Sequence, residues 1–137
     1  MAERGEIRNL DHARQLVLFK GMRWGTITPT DIDGFIDFRN RLFIFLEVKY
    51  GDEPVPMGQR IALERLCKNS VSDNRTACAL IVRHNVKGAD IEVAKMPGSE
   101  IYYKGEWKGI KNPDSYTTFK LVNWLIKDAG LAFTTTA

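Results

Sequence analysis

The sequence predicts a mixed α/β fold: a central β-sheet flanked by helices, extended by a C-terminal hairpin and helix. Three observations predict it. Residues 42–46 and 77–82 are apolar runs rich in Phe, Ile, Leu and Val, which read as strands covered on both faces. Between them Gln59, Leu63 and Leu66 recur at helical spacing, so a helix joins the two strands. Ahead of them, Arg39-Asn40-Arg41 interrupts two apolar stretches and marks an antiparallel hairpin.

The 137 residues are read as one domain, 1–137, long enough for a sizeable core. No apolar run approaches the ~20 residues of a membrane helix, and the N-terminus lacks the apolar segment of a signal peptide. The expectation is a cytoplasmic protein with no membrane partner. A net charge of +3 permits nucleic-acid binding without demonstrating it. Cys67 and Cys78 lack metal-ligand spacing and are expected as buried free thiols.

In chain order, residues 7–20 carry Leu10, Ala13, Leu16 and Val17 as an apolar stripe and predict a helix ended by Gly21. Residues 21–30 read as a loop or short strand. Within it Trp24 either stacks on a base or packs in the core, and Arg23 is a candidate phosphate contact. Strands are expected over 32–38 and 42–50, a loop over 51–56, a helix over 57–69 with a Glu64–Lys68 pair facing outwards, and a strand over 76–86. A further strand is expected over 89–96. Residues 104–107 read as a turn, with Lys104, Trp107 and Lys108 suiting either backbone neutralisation and base stacking or an ordinary amphipathic hairpin. Asp114-Ser115 is expected to open a last helix over 116–129, with Phe119, Val122, Leu125 and Ile126 towards the core and Gly130 at its end. Residues 134–137 are expected to fray.

The chemistry-bearing feature is the end of the second strand. Glu47 and Lys49 share one face of it, and charges beside so buried a strand are costly unless paired, metal-bound or open to a cleft. If Asn40 centres a three-residue loop, Phe38 pairs with Leu42, Asp33 with Glu47 and Asp31 with Lys49. Directly opposed Cβ atoms lie ~5 Å apart, so Asp33 and Glu47 would make a carboxylate pair able to share a divalent ion. A one-residue slip would separate them. Asp37, ~13 Å along the strand from Asp33, falls at the turn, where Arg39 or Arg41 is the expected partner. Asp31 either takes a second ion, holds a water on the first, or neutralises Lys49. His84 is read as a structural histidine. Glu92 and Lys95 imitate the acid–lysine spacing but are one residue too far apart to share a strand face.

The set Pro29-Thr30-Asp31-Ile32-Asp33-Gly34, then Glu47-Val48-Lys49 and Gly58-Gln59, resembles the PD-(D/E)xK (restriction-endonuclease-like) nuclease superfamily, most closely its small phage-encoded members. The resemblance covers residues 23–66. It implies an αβββαβ core in which the strand over 76–86 lies parallel beside that over 42–50. It also implies hydrolysis of DNA phosphodiesters with Mg²⁺ or Mn²⁺ held by Asp33, Glu47 and the carbonyl of Val48, with Lys49 supporting the attack. Gln59, otherwise a capping or bridging residue, becomes a site residue under this resemblance. DNA is then the partner, and a junction-cutting enzyme would be a homodimer. The competing expectation is a nuclease-like module without activity that binds DNA or a host protein.

Overall fold

A computed structural model describes residues 18–133. The chain divides into two compact units, Met1–Thr30 and Asp31–Ala137, where the sequence reading has a single domain. In the first unit, residues 7–17 of the expected helix lie outside the described residues, and residues 18–20 are not helical. Residues 21–30 form no strand. They turn tightly, with Trp24 and Ile27 exchanging both backbone hydrogen bonds (2.9 and 3.0 Å) and Gly25 at positive φ. Trp24 is 63% exposed, so the core-packing reading of its ring does not hold.

The second unit holds a five-stranded mixed sheet in sequential order. Its strands are β1 (Gly34–Phe38), β2 (Leu42–Tyr50), β3 (Thr76–His84), β4 (Gly98–Tyr103) and β5 (Glu106–Gly109), and its helices are α1 (Met57–Ser70) and α2 (Thr118–Asp128). The β1–β2 hairpin has the expected register, Phe38 opposite Leu42 through Gly34 opposite Leu46. Arg39 and Asn40 take left-handed backbone angles at the turn, and Asp37 Oδ1 accepts from the Asn40 N–H at 2.6 Å. β1 starts at Gly34 rather than at residue 32.

β2 and β3 run parallel and pair along their whole length, from Leu42 opposite Thr76 to Tyr50 opposite His84, with α1 as their crossover. This is the expected arrangement. β2 leads through a loop directly into α1, so the third strand of the αβββαβ order is missing among the described residues.

Side-chain alternation along the strands divides the core between the two helices. Leu63 and Cys67 of α1 pack on Phe45, Ala77, Ala79 and Tyr102. Leu121, Leu125 and Ile126 of α2 pack on Leu42, Ile44, Cys78, Leu80 and Ile101. Both cysteines are free and buried, and burial pushes the Cys67 thiol up to about 12, as inert core thiols require.

Two expected elements differ. Residues 89–96 form no strand: Val93–Lys95 is a single 3-10 turn, with Lys95 paired to Glu92 at 3.2 Å. Pro97 follows, and the antiparallel place on the edge of β3 goes to β4. The last helix starts two residues late. Pro113–Ser115 is a 3-10 turn, and Thr117 is the N-cap, its hydroxyl accepting from the Lys120 N–H at 3.2 Å. Its buried stripe is Thr118, Leu121, Leu125 and Ile126, which turns Phe119 out to solvent at 49%. Gly130, at positive φ, ends the helix as expected, with Leu131 N–H reaching back to the Ile126 carbonyl.

Gly98 opens β4 against α2, and a Cβ there would collide with Leu121 Cδ1. Gly98→Ala is therefore expected to cost about 1–3 kcal/mol by overpacking, read as a lower urea midpoint at unchanged slope.

Candidate metal and phosphodiester site

The site lies where β1 parts from β2. One residue beyond the last paired position, Asp33 leaves the ladder but keeps its side chain on it: Oδ2 accepts from the Val48 N–H at 2.7 Å, replacing the bond a longer β1 would supply. A strand residue presents its N–H and C=O to the same edge, so the Val48 carbonyl also faces Asp33. Sequence register thus brings Asp33, Glu47 and Val48 together as expected.

Glu47 belongs to the β2 face that carries Phe43 and Phe45, the face α1 covers. It is only 3% exposed. Its Oε1 lies 3.5 Å from Lys49 Nζ, while Oε2 is buried with no hydrogen-bond partner among the described residues. Among the described residues, Gln59 Oε1 is the other buried side-chain oxygen left without one. Gln59 sits in the first turn of α1, four residues before the fully buried Leu63, so the packing that anchors the helix also turns its amide towards the sheet.

Burial holds the Glu47 carboxyl above its ordinary value of 4.5. The neighbouring Asp33 charge raises it further, while the Lys49 ammonium and the nearby Gln59 amide pull it down. Asp33, Lys49 and Gln59 therefore all lie close enough to Glu47 to act on its carboxyl.

Unpartnered oxygens on a buried acid and a neighbouring amide, a second carboxylate and a carbonyl on the strand edge beside it form a set of hard oxygen donors. That set fits Mg²⁺ or Mn²⁺, which bind through one or two carboxylates and complete their shells with water and phosphate oxygens. Among the described residues no group of three or more His, Cys, Asp or Glu side chains is placed to hold a metal, so the set offers two carboxylates and neutral oxygens only.

Asp31 is exposed and has no hydrogen-bond or ion-pair partner among the described residues. Asp37 sits at the turn as expected, but its partner is the Asn40 N–H rather than Arg39 or Arg41. Asp37→Ala is expected to lower stability by about 1 kcal/mol through that lost bond and to leave any cleavage unchanged, checked by a melt and an assay on the same sample.

His84 is structural: Nδ1 accepts from the Val86 N–H at 3.1 Å and its ring meets Tyr50 edge-on. Arg23 and Trp24 are exposed in the first unit. Trp107 is occupied internally. Its indole N–H donates to Glu64 at 2.8 Å, and its ring packs on Tyr102 and under the Arg60 guanidinium at 4.5 Å. Glu64 consequently does not make the expected outward pair with Lys68. Lys104 Nζ lies 3.6 Å from Asp128, and Lys108 is 3.2 Å from Glu106 at the surface.

Two supporting residues escaped the sequence reading. Arg83, beside Lys49 in the β2–β3 ladder, donates from Nη1 to the carbonyls of Gly51 and Glu53 at 3.0 and 2.7 Å. It pins the loop that delivers Gln59. An arginine at the end of a buried strand, sharing the parity of Lys49, was the available signal. Arg60 makes a two-pronged pair with Glu100 of β4 (3.0 and 3.2 Å), fixing α1 over the sheet next to Gln59. Its signal was weaker, since nothing in the sequence couples residue 60 to residue 100.

Comparison of the chain with family models, with characterised proteins and with solved structures finds no match.

Proposed function

We propose that the chain is a Mg²⁺- or Mn²⁺-dependent nuclease that hydrolyses DNA phosphodiesters, with a core of the PD-(D/E)xK type. The observation that carries this reading is the buried Glu47, its Oε2 unpartnered, set against Asp33, Lys49 and Gln59 at one strand end. Lys49 reaches only one of the Glu47 oxygens, and a cation at the other would offset the cost of burying the carboxylate.

When bound, the ion supplies Lewis acidity at a phosphoryl oxygen and a more acidic water. Asp33, Glu47 and Val48, through its carbonyl, are the residues that would hold it. The free Gln59 Oε1 accepts a hydrogen bond from water and so fixes the direction of its lone pair towards phosphorus. The Lys49 ammonium neutralises negative charge as it grows on the phosphoryl group. Arg83 and Arg60 touch no substrate in this scheme; they hold the loop and helix that place Gln59.

On this reading the protein acts in the cytoplasm of a bacterial host, in phage DNA replication, recombination or repair, and paired cutting of a four-way junction would require a homodimer. One observation favours a catalytically silent module instead: the Lys49–Glu47 pair and the Asp33–Val48 bond already complete the strand end without a metal.

Incubation with labelled duplex, single-stranded, flapped and four-way-junction DNA, each with Mg²⁺, Mn²⁺ or EDTA, separates the two. Cleavage that needs the metal and disappears in Glu47→Ala supports the nuclease. Binding without cleavage under every condition assigns the silent module.

A further inference from the structure

On the sheet face opposite Glu47, between β5 and α2, lies an open groove of about 310 Å³. Its floor is apolar, formed by Ile101, Ile110 and Leu121, whereas its rim carries Lys108, Lys111, Tyr116 and Trp124. The two aromatic rings are 46% and 51% exposed. Trp124 touches Tyr103 only edge-on, at 6.2 Å between centroids, which leaves a ring face to the groove.

Along α2, Lys120, Trp124 and Lys127 are spaced i, i+4 and i+7 and so form one stripe. Lys111, Lys120 and Lys127 are exposed and form no ion pair among the described residues. A ring flanked by lysines on its own helix, facing a second ring and two more lysines across an apolar floor, matches a polyanion that carries flat apolar groups.

We propose that this groove binds single-stranded nucleic acid, with bases stacked on Trp124 and Tyr116 and phosphates neutralised by the lysines. Unpaired bases offer the faces that such rings need, whereas a duplex keeps them stacked inside. An acidic peptide would match the lysines but leave the exposed rings without a partner. The proposal rests on the nuclease reading only for its choice of DNA as ligand. The groove would hold a strand that flanks the cut, on the sheet face away from Glu47.

The test is fluorescence anisotropy of a labelled 20-nucleotide oligo-dT with the full chain in EDTA, where no cleavage occurs. Trp124→Ala and Tyr116→Ala are each expected to weaken binding about tenfold. Lys120→Gln with Lys127→Gln is expected to flatten the salt dependence, by about 0.7 log units for each phosphate no longer neutralised. Unchanged affinity in both aromatic variants overturns the proposal. So does a two-chain species in light scattering that Trp124→Ala returns to one chain, which would make this face a self-association surface. Because the readout needs no metal, binding without cleavage leaves the groove standing and rejects only the nuclease, and cleavage with unchanged binding does the reverse.

Discussion

Asp33→Ala and Glu47→Ala are each expected to lower Mg²⁺-dependent DNA cleavage by about 10³-fold or more, some 4 kcal/mol of transition-state stabilisation. The size follows from the donor set. Glu47 Oε2 has no hydrogen-bond partner among the described residues, and Asp33 is held at the same strand end by its bond from the Val48 N–H. Removing either acid leaves a single carboxylate to hold the cation and position it against the phosphate. The double variant should be no worse than either single one, because residues sharing one ion act as a unit. Melting curves must accompany the rates. Asp33→Ala also leaves the Val48 N–H without its acceptor, so a modest loss of stability of about 1 kcal/mol is expected there. Cleavage persisting at the wild-type rate in both variants would reject the site, whatever the stability.

The pieces of the site that lie close in sequence or on one hairpin are legible from the residues alone. Alternation puts Glu47 and Lys49 on one face, and a three-residue turn sets Asp33 opposite Glu47; the hairpin keeps that register through Gly34. Helical spacing puts Gln59 on the stripe of Leu63. Local rules suffice where partners are fixed by strand parity or one helical turn. They fail where tertiary packing chooses among equals. Trp107 looks like a stacking residue because its neighbours are lysines, yet a half-buried position against Tyr102 and Arg60, with Glu64 to accept its N–H, uses it internally. Trp124 has no such flag: in the sequence it is one more residue of an amphipathic helix, and only the phase of α2, set by Leu121 and Leu125, turns it outwards. The strand expected over 89–96 fails for another reason. Ile91 and Val93 have β propensity, but the edge of β3 they would have paired with is occupied by β4.

Glu47→Gln is expected to raise the stability of the metal-free protein at pH 7–8, because it removes a charge whose burial already holds the folded-state carboxyl above its ordinary value. The pH dependence gives the sign. Burial and Asp33 hold the folded-state pKa of Glu47 above 4.5, so between 4.5 and that raised value the folded chain binds more protons than the unfolded one. Wild-type stability therefore falls as pH rises through this window and stays reduced above it, whereas the glutamine variant lacks this component. The advantage of Glu47→Gln should shrink towards zero below about pH 4.5, apart from the titrations both proteins share. Mg²⁺ should act in the opposite sense. At a free concentration a hundredfold above Kd it adds about 2.7 kcal/mol to the wild type and nothing comparable to the variant, whose neutral amide is a poor substitute for the second carboxylate. Urea melts at pH 4, 6 and 8, with and without Mg²⁺, read all of this. A variant less stable than wild type at pH 8, or equally stabilised by Mg²⁺, would mean that Glu47 is held by its pair with Lys49 and is not kept ready for a cation.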